Sequence, residues 1–550
     1  MDYLASHLLI DQLAAEGTRY IFGSLNSAGS PIIAALSERR TEVQFVAAMH
    51  EELAGMMAVG YAQASGRPAV LCLPCATGLI HGLSAMYLAQ KTRTPLLVIA
   101  DEQDTEILND EQPLSGDLMA LVRPLAKWSC ELRAPSQLTR NLRRAFQEAL
   151  SPPKGPVFIS SPIDLLTKLA TGQTVPPPQT TPLGAADMNF CKKAAKALVG
   201  AKRPCIVVGN EVSMYRARRE AVSLAEVLGC PAYCEPLPTG VNFPNRHPQF
   251  AGVLPLEIDK ASELLESYDA ILLLGVQTRL AARSNEAPLL PSTAFVIQIN
   301  TESGLTGRTL SCDLAANADI GETLSRLRAE VQLVVDASWV STTKTRAEAT
   351  ISVIKKRRQV LEETIPFPSS KAQIAMVWLL RLLDAVRPVK SMVVSDVVCD
   401  YANPYEILSL EGSSAYFSSN AGVGGYALCA ALGVQWASSD GVVICLTSDG
   451  SALYAPQAFW TAAHYNLPVK FIVVNNLGRA NFTLHLVPEL NSSNRVLLDN
   501  PAVAIPQLAH SMRVPSASVD TVSGLEKALQ TMFETPGPFV LDVRIDTTLI

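Results

Sequence analysis

Two polar side chains, Asp449 and Asn476, each follow a short apolar, β-branched run of the sequence. The residues between the two runs have helical spacing of apolar side chains, so the stretch predicts a strand–helix–strand unit. The strands of such a unit are parallel, and their carboxyl ends meet at the sheet edge where ligands bind. The Asp449 carboxylate, the Asn476 amide oxygen and the Gly478 carbonyl would form half of an octahedral oxygen shell. Mg²⁺ with a diphosphate would complete that shell.

A second candidate is Glu51, at the start of a helix predicted over 51–65. A carboxylate at that position is ordinarily a surface charge that complements the helix dipole. Here the apolar residues at 46–49 and 54–57 predict a buried carboxyl with a raised pKa. Such a group can exchange a proton at neutral pH. Glu52 lies about 100° further around the helix, and we expect it to face solvent or an ion-pair partner.

Composition narrows the class of protein. The 550 residues are 48% hydrophobic and 17% charged, which favours several α/β domains with large cores. The net charge of −6 and the lack of a Lys/Arg cluster argue against nucleic acid and an anionic membrane as partners. No apolar run reaches the roughly 20 residues of a membrane span, and the first residues do not have a signal-peptide pattern. The cysteines are mostly isolated in apolar runs, so we expect a cytoplasmic protein with core thiols.

The order of predicted elements gives the domain organisation. Apolar strands alternate with helices along the chain, which predicts an α/β fold of three doubly wound parallel-sheet domains. The middle domain has single glycines after its strands but no G-x-G-x-x-G, so an NAD-linked enzyme is disfavoured. The predicted divisions are a first domain at 1–170, a linker at 171–186, a middle domain at 187–335, a linker at 336–369 and a third domain at 370–550.

Several short motifs, in this order on three α/β domains, resemble the thiamine-diphosphate enzymes related to benzoylformate decarboxylase and acetolactate synthase. The resemblance covers essentially the whole chain. Asp-Gly-Ser or Asn-Asn alone would be a weak signal, but the ordered set is specific. The motifs are Phe22-Gly23, His50-Glu51 ahead of Gly60-Tyr61-Ala62, Gly422-x-x-Gly425-x-Ala427-Leu428, Asp449-Gly450-Ser451 and Asn475-Asn476.

The resemblance implies a role for each domain and for each motif. Residues 1–170 would bind the pyrimidine of thiamine diphosphate, and 370–550 would bind its diphosphate. Glu51 would bond the pyrimidine nitrogen and activate the cofactor. The other implied cofactor-binding residues are Gly422, Gly424, Asp449, Gly450, Ser451 and Asn476, and the implied Mg²⁺ ligands are Asp449, Asn476 and Gly478. Because this family builds its sites between subunits, we expect a homodimer or homotetramer.

The chain departs from the family pattern where protons are delivered to the substrate. Pro74-Cys75 stands in place of a His-Ser pair, and residues 281–283 cover the region of another missing histidine. Ser27 keeps a serine position, while His81 and His485 are the candidates for a relocated acid or base, although a lone histidine is more often structural. Gly424 also stands where a large apolar side chain usually supports the cofactor, so another side chain must take that role.

The resulting hypothesis is a lyase that decarboxylates a 2-oxo acid. The enamine so formed would be protonated to an aldehyde, or ligated to a second carbonyl of an aldehyde or another 2-oxo acid. The apolar residues Phe482, Leu484 and Leu486 favour an aromatic or long apolar substrate side chain. Two alternatives stay open: an acetolactate-synthase-like ligase with FAD in the middle domain, although FAD is not expected, and an inactive cofactor-binding scaffold subunit.

Overall fold

A computed structural model describes residues 3–546 apart from 40, 109, 111, 179–182, 278–288, 309, 364–372, 398–401, 413–414, 439, 479–497 and 499–500. The described residues form three six-stranded sheets in which all paired strands are parallel. This confirms the predicted fold class. No helix in the described part of the chain is both long and apolar enough to span a membrane.

The first sheet has the strand order β2-β1-β3-β4-β6-β5. Its strands are β1 (Tyr20–Ser24), β2 (Gln44–Ala48), β3 (Ala69–Leu73), β4 (Leu96–Glu102), β5 (Trp128–Glu131) and β6 (Pro156–Pro162). The helices of this domain are α1 (Ala5–Ala15), α2 (Pro31–Glu38), α3 (Glu51–Ser65), α4 (Cys75–Lys91), α5 (Leu118–Val122), α6 (Leu138–Leu150) and α7 (Ile163–Leu166).

The middle sheet has the order β12-β11-β10-β7-β8-β9. Its strands are β7 (Pro204–Val208), β8 (Ala232–Cys234), β9 (Phe250–Val253), β10 (Ala270–Leu274), β11 (Phe295–Asn300) and β12 (Leu314–Asn317). The helices are α8 (Met188–Gly200), α9 (Asn210–Met214), α10 (Arg218–Leu228), α11 (Ile258–Leu265), α12 (Ile320–Val334) and α13 (Ala337–Glu363). Although α13 lies in the predicted second linker, Arg346 and Arg357 on it donate to carbonyls of the middle domain.

The third sheet has the order β14-β13-β15-β16-β18-β17. Its strands are β13 (Met392–Ser395), β14 (Tyr416–Ser418), β15 (Val443–Ser448), β16 (Lys470–Asn475), β17 (Ser516–Val519) and β18 (Phe539–Arg544). The helices are α14 (Met376–Val386), α15 (Pro404–Ile407), α16 (Tyr426–Ala437), α17 (Asp449–Ala452), α18 (Gln457–His464), α19 (Ile505–Ser511) and α20 (Val522–Glu534).

The first and third domains are joined where α3 crosses α16. A Cβ on Gly60 would collide with the backbone of Ala430, and a Cβ on Gly433 would collide with the backbone of Met57. The helices therefore touch backbone to backbone, an approach that larger residues would prevent. Near one end of the crossing the Tyr426 hydroxyl donates to Gln63 Oε1 at 2.7 Å. Since residue numbers rise along α3 as they fall along α16, the two helices run antiparallel.

The middle domain buries Glu211 completely just after the glycine that follows β7. The Thr301 N–H and Asn300 Nδ2 donate to its Oε2 at 2.7 and 3.2 Å, while Oε1 has no hydrogen-bond partner among the described residues. Burial, with a contribution from the nearby Glu302 and Glu235 carboxylates, raises the pKa of Glu211 to about 8. Glu211 is therefore protonated in the folded protein at neutral pH.

We expect the Glu211→Gln variant to be more stable than the parent at pH 9 and similar to it at pH 5. The pKa is higher in the folded chain than in the unfolded chain, so the parent loses stability as pH rises from about 4.5 to about 8. Glutamine keeps the hydrogen bonds and cannot ionise. The Tm at the two pH values measures the difference, with the exposed Glu263→Gln as control. An equal Tm difference at both pH values would contradict the assignment.

Candidate active site

Glu51 lies where the chain turns from β2 into α3, at the carboxyl edge of the first sheet, and is only 3% exposed. The Ser24 hydroxyl donates to its Oε1 at 2.7 Å, and Asn26 Nδ2 lies 3.4 Å from the same oxygen. His81 Nδ1 lies 3.2 Å from Oε2. Ser24 ends β1, the strand next to β2, so the parallel pairing itself brings the hydroxyl to the carboxylate.

The burial of Glu51 agrees with the sequence analysis, but the predicted direction of its pKa shift is wrong. Burial alone would raise the pKa of Glu51, yet the hydrogen bonds from Ser24, its own backbone N–H, His81 and Asn26 together lower it below the ordinary value. The three side-chain donors come from other elements of the first domain, distant in sequence, which apolar patterning around residue 51 does not reveal. The carboxylate is ionised at neutral pH in the structure.

His81 is the predicted acid–base candidate that the structure places beside Glu51. Its side chain is 52% exposed, and its ring lies 4.8 Å from the ring of His50 at an angle of 30°. His50 caps α3 by accepting from the Glu52 N–H at 3.3 Å. Sequence reasoning missed His50, Ser24 and Asn26 as members of this cluster. The proximity of His50 to Glu51 in the chain is the only sequence signal that points to one of them.

Ser27 does not join this cluster. It is fully buried, and its hydroxyl donates to the Cys72 carbonyl at 2.9 Å. The short 3₁₀ helix Leu25–Gly29 turns Ser27 towards the sheet. The structure therefore gives Ser27 a structural hydrogen bond and does not support the predicted catalytic role. His485, Phe482 and residues 281–283 lie outside the described residues.

Asp449 lies at the other half of the predicted site, after β15, and is 3% exposed. Its Oδ1 accepts from the Gly450 N–H at 2.9 Å, and its Oδ2 accepts from the Gly478 N–H at 2.8 Å. Burial nevertheless raises the pKa of Asp449 above its ordinary value. Strands β15 and β16 are paired, as predicted, so the turns that follow them meet.

The two asparagines after β16 have separate environments. Asn475 donates from Nδ2 to Asp542 at 2.9 Å, and its Oδ1 accepts from the Leu477 N–H at 3.2 Å. Asn475 therefore fixes the turn, and Asn476, the predicted metal ligand, is 5% exposed. Gly478 has a φ of +70°, a conformation that favours glycine. Its N–H contacts Asp449, and a metal-bonding role of its carbonyl stays a prediction.

The glycine-rich turn before α16 is fixed to the Asp449 loop. The Ser451 hydroxyl donates to Asp396 Oδ2 at 2.5 Å and accepts from the Gly425 N–H at 2.9 Å. Gly422 has a φ of +67°. Ser451, predicted to bind the cofactor, thus also holds this turn in place. Asp396, which follows β13, was not singled out from the sequence.

Tyr454 fills the space beside Gly424. A Cβ on Gly424 would lie 2.8 Å from the ring of Tyr454, and that ring is 68% exposed in the single chain. The Tyr454 ring therefore occupies the space into which a side chain at position 424 would project. No pattern in the sequence connects these two positions.

The two halves lie at opposite ends of the α3–α16 pair. Glu51 starts α3 twelve residues before Gln63, which is roughly 18 Å along the helix axis. Tyr426, at the start of α16, contacts Gln63, and the glycine turn directly precedes it. Glu51 and Gly422 of one chain are therefore too far apart to contact one aminopyrimidine ring.

The donor set at the third sheet suits a metal diphosphate. Asp449 and Asn476 offer oxygen atoms, the ligands that Mg²⁺ prefers. Burial raises the pKa of Asp449 because its two N–H donors do not fully offset the cost of removing the carboxylate from water. A bound cation would offset the rest of that cost. The residues present therefore fit a magnesium-bound diphosphate.

Comparison with known proteins matches three segments of the chain to three domain families. Residues 4–121, 191–327 and 400–543 match the N-terminal TPP binding, central and C-terminal TPP binding domains of thiamine pyrophosphate enzymes. The benzoylformate decarboxylase of Pseudomonas aeruginosa is 28% identical over 97% of both chains. The large subunit of acetolactate synthase isozyme 1 from Escherichia coli is 24% identical over 99% of this chain and 94% of that protein.

A solved structure agrees with these sequence matches. The thiamine diphosphate-dependent 4-hydroxybenzoylformate decarboxylase of Rhodococcus jostii aligns over all of both chains with a TM-score of 0.85 and 26% identity. The matches span the complete three-domain arrangement described above. The chain therefore belongs to the thiamine pyrophosphate enzymes, in the group that contains 2-oxo acid decarboxylases and carboligases.

Proposed function

We propose that this protein is a thiamine diphosphate- and Mg²⁺-dependent enzyme that decarboxylates a 2-oxo acid. The observation that carries the proposal is the buried, ionised Glu51 with its hydrogen-bonded cage, together with the Asp449–Asn476 turn that suits a metal diphosphate. The named activities of the relatives support the reaction class. We also propose a cytoplasmic location, from the cysteine usage.

Different residues of the site would bind different parts of the cofactor. Asp449 and Asn476 would hold Mg²⁺ and through it the diphosphate, and Glu51 would bond the pyrimidine nitrogen. Gly422 would offer its carbonyl to the amino group. Bound thiamine diphosphate supplies a carbanion nucleophile and an electron sink for the carbon that loses CO₂.

Glu51 acts as a fixed anionic hydrogen-bond acceptor in this scheme. Ser24 is 1% exposed and holds Oε1, whereas the half-exposed His81 contacts Oε2. The pyrimidine nitrogen of an incoming cofactor would therefore reach Glu51 at Oε2. It would either share that oxygen with His81 or displace the His81 ring from it. His81 then lies at the edge of the site, where it could exchange a proton with solvent and pass it inwards.

The Glu51→Gln variant should lose CO₂ release by about 100-fold or more, the range of a lost general acid–base group. It should still bind thiamine diphosphate and Mg²⁺, because the diphosphate residues are untouched. Calorimetric titration of cofactor and a CO₂ assay measure both properties. The neighbouring Glu52→Gln is the matched control. Equal rates for the two variants would contradict the role of Glu51.

The reaction itself is tested by CO₂ release from a panel of 2-oxo acids with aliphatic, branched and aromatic side chains, with both cofactors added. Release from at least one member supports the proposal, and release from none overturns it. Product analysis then separates the two endings. Aldehyde in a 1:1 ratio to CO₂ rules out carboligation, whereas acyloin or acetohydroxy acid products establish it.

We further propose that each active site forms between two copies of the chain. Glu51 and Gly422 lie at opposite ends of the α3–α16 pair, so a second copy must bring its Glu51 to the glycine turn of the first. A two-fold axis would then create two equal sites. The chain would act as a homodimer, or as a homotetramer built from two such dimers.

Mixed dimers test this arrangement. In a dimer of one Glu51→Gln chain and one Asp449→Asn chain, one site carries both changes and the other carries neither. Random 1:1 association should therefore restore about a quarter of the parental activity under two-fold symmetry. The rate of CO₂ release from chains co-expressed with different affinity tags measures this recovery. Activity no higher than the sum of the two single variants would place each site within one chain.

We propose that Tyr454 supports the cofactor in place of a side chain at position 424. Its exposed ring lies on Gly424, between the glycine turn and the Asp449 loop. An aromatic ring there would give the cofactor an apolar surface to rest against.

Substitutions at positions 424 and 454 test whether Tyr454 compensates for the glycine at position 424. Gly424→Leu should weaken cofactor binding, because leucine collides with the Tyr454 ring. Tyr454→Ala should weaken it by leaving space. The double variant should recover much of the loss, whereas Tyr87→Ala, a change on α4, should have no effect. The Kd for thiamine diphosphate measures each. Defects that simply add would contradict the compensation.

The middle domain argues against the alternative with a flavin. Dinucleotides bind parallel sheets at the point where the strand order reverses, here between β7 and β10. Glu211 covers that point: a Cβ on Gly275, after β10, would lie 2.6 Å from its side chain. The buried carboxylate of Glu235 lies nearby and would repel a diphosphate. We expect the purified protein to show no flavin absorbance at about 450 nm.

The scaffold alternative has less support. A subunit that only binds cofactor has no need of a buried carboxylate held by Ser24, Asn26 and His81. Turnover that depends on Glu51 would exclude this alternative, and the Glu51→Gln comparison measures that dependence.

A further inference from the structure

A small pocket lies where all three domains meet, at the end of α3 opposite to Glu51. Its volume is about 110 Å³. Gln63 and Gly66, at the carboxyl end of α3, form one side, and Met214 of the middle domain and Phe417 of the third domain form others. Lys154, in the loop that enters β6, completes the wall. The pocket is too small for a nucleotide or a drug-sized ligand, which need about 300 Å³ or more.

The pocket holds a positive charge that no carboxylate neutralises. The Lys154 ammonium lies over the ring of Tyr215 at 4.9 Å, and among the described residues it forms no ion pair. Burial and the nearby Arg216 guanidinium lower the pKa of Lys154. Arg216 Nη2 reaches to 3.0 Å from where a Cβ on Gly66 would lie, and it too has no ion pair in the described part of the chain.

The other cation of the pocket is already compensated. Arg93 Nε donates to both carboxylate oxygens of Glu302 at 2.8 and 3.0 Å. Arg93 in the pocket wall is therefore paired, whereas Lys154 and the nearby Arg216 form no ion pair among the described residues. Two neighbouring cations of the same sign, partly removed from water, repel each other and favour a bound anion.

The rest of the wall is mixed: it includes threonine, serine and glutamine side chains as well as an apolar part. Pro95, Met214 and Phe417 present hydrocarbon and aromatic surface towards the space that Lys154 faces. An inorganic oxyanion would leave this surface without a partner. A ligand with a charged end and a short apolar body would contact both parts of the wall.

We propose that this pocket binds a small organic monocarboxylate. Its carboxylate pairs with the Lys154 ammonium, and its apolar body packs against Met214 and Phe417. Because the wall comes from three domains, the bound ligand stabilises their arrangement, and stability rises with ligand concentration. The pocket also contacts the carboxyl end of α3, the helix that carries Glu51 at its other end.

Protection of Lys154 from chemical acylation tests the proposal at the residue itself. The full-length protein with thiamine diphosphate and Mg²⁺ is treated with an amine-acylating reagent, and each lysine is followed by peptide mass spectrometry. Benzoate, which lacks a 2-oxo group and cannot turn over, should slow the labelling of Lys154 several-fold. The neutral isostere benzamide should not. The exposed Lys192 on α8 should be labelled equally in all samples.

Three outcomes overturn the proposal: equal labelling of Lys154 with and without benzoate, equal protection by benzamide, and equal protection by inorganic phosphate. The last would show that the apolar wall has no part in recognition. A second readout uses thermal stability. Benzoate should raise the Tm of the parent and of Lys192→Met but leave Lys154→Met unchanged. A shift retained in Lys154→Met would place benzoate elsewhere, including the active site. Neither readout depends on turnover.

Discussion

The backbone contact between α3 and α16 is the constraint on which the site depends. Gly60 and Gly433 let the two helices approach until main chain meets main chain, and any Cβ at either position would force them apart. The same crossing joins the cores of the first and third domains. Because it is antiparallel, it separates Glu51 from the glycine turn within one chain. A contact that holds two domains together therefore also keeps Glu51 and the glycine turn of one chain apart.

The pKa values of the two carboxylates of the site are shifted in opposite directions. Glu51 is buried, yet Ser24, His81 and Asn26 more than offset the cost, so its pKa falls. Asp449 is buried to the same extent, and its backbone donors do not offset the cost, so its pKa rises. Glu51 is thus stable as an anion without any ligand, which suits a hydrogen-bond acceptor. A bound cation would stabilise the buried Asp449 carboxylate, which suits a metal ligand.

The sequence predicts what depends on local pattern and misses what depends on long-range contact. Parallel sheets follow from the alternation of strands and helices, and the meeting of Asp449 with the Asn476 turn follows from that topology. The pKa of Glu51 does not follow, because its side-chain donors come from elements 25 to 30 residues away in the sequence. Ser27 and Ser24 differ by three positions, and only the 3₁₀ turn decides which one faces the carboxylate.

The pairing of Gly424 with Tyr454 shows why a missing side chain is poor evidence of a missing function. Judged by position alone, Gly424 removes a support for the cofactor and favours an inactive protein. The Tyr454 ring, from the loop after α17, packs on Gly424 and fills the space where a larger side chain at position 424 would lie. What a site requires is occupied space and a suitable surface, and the fold can supply these from either side of a contact. The glycine at position 424 is therefore compatible with an active enzyme.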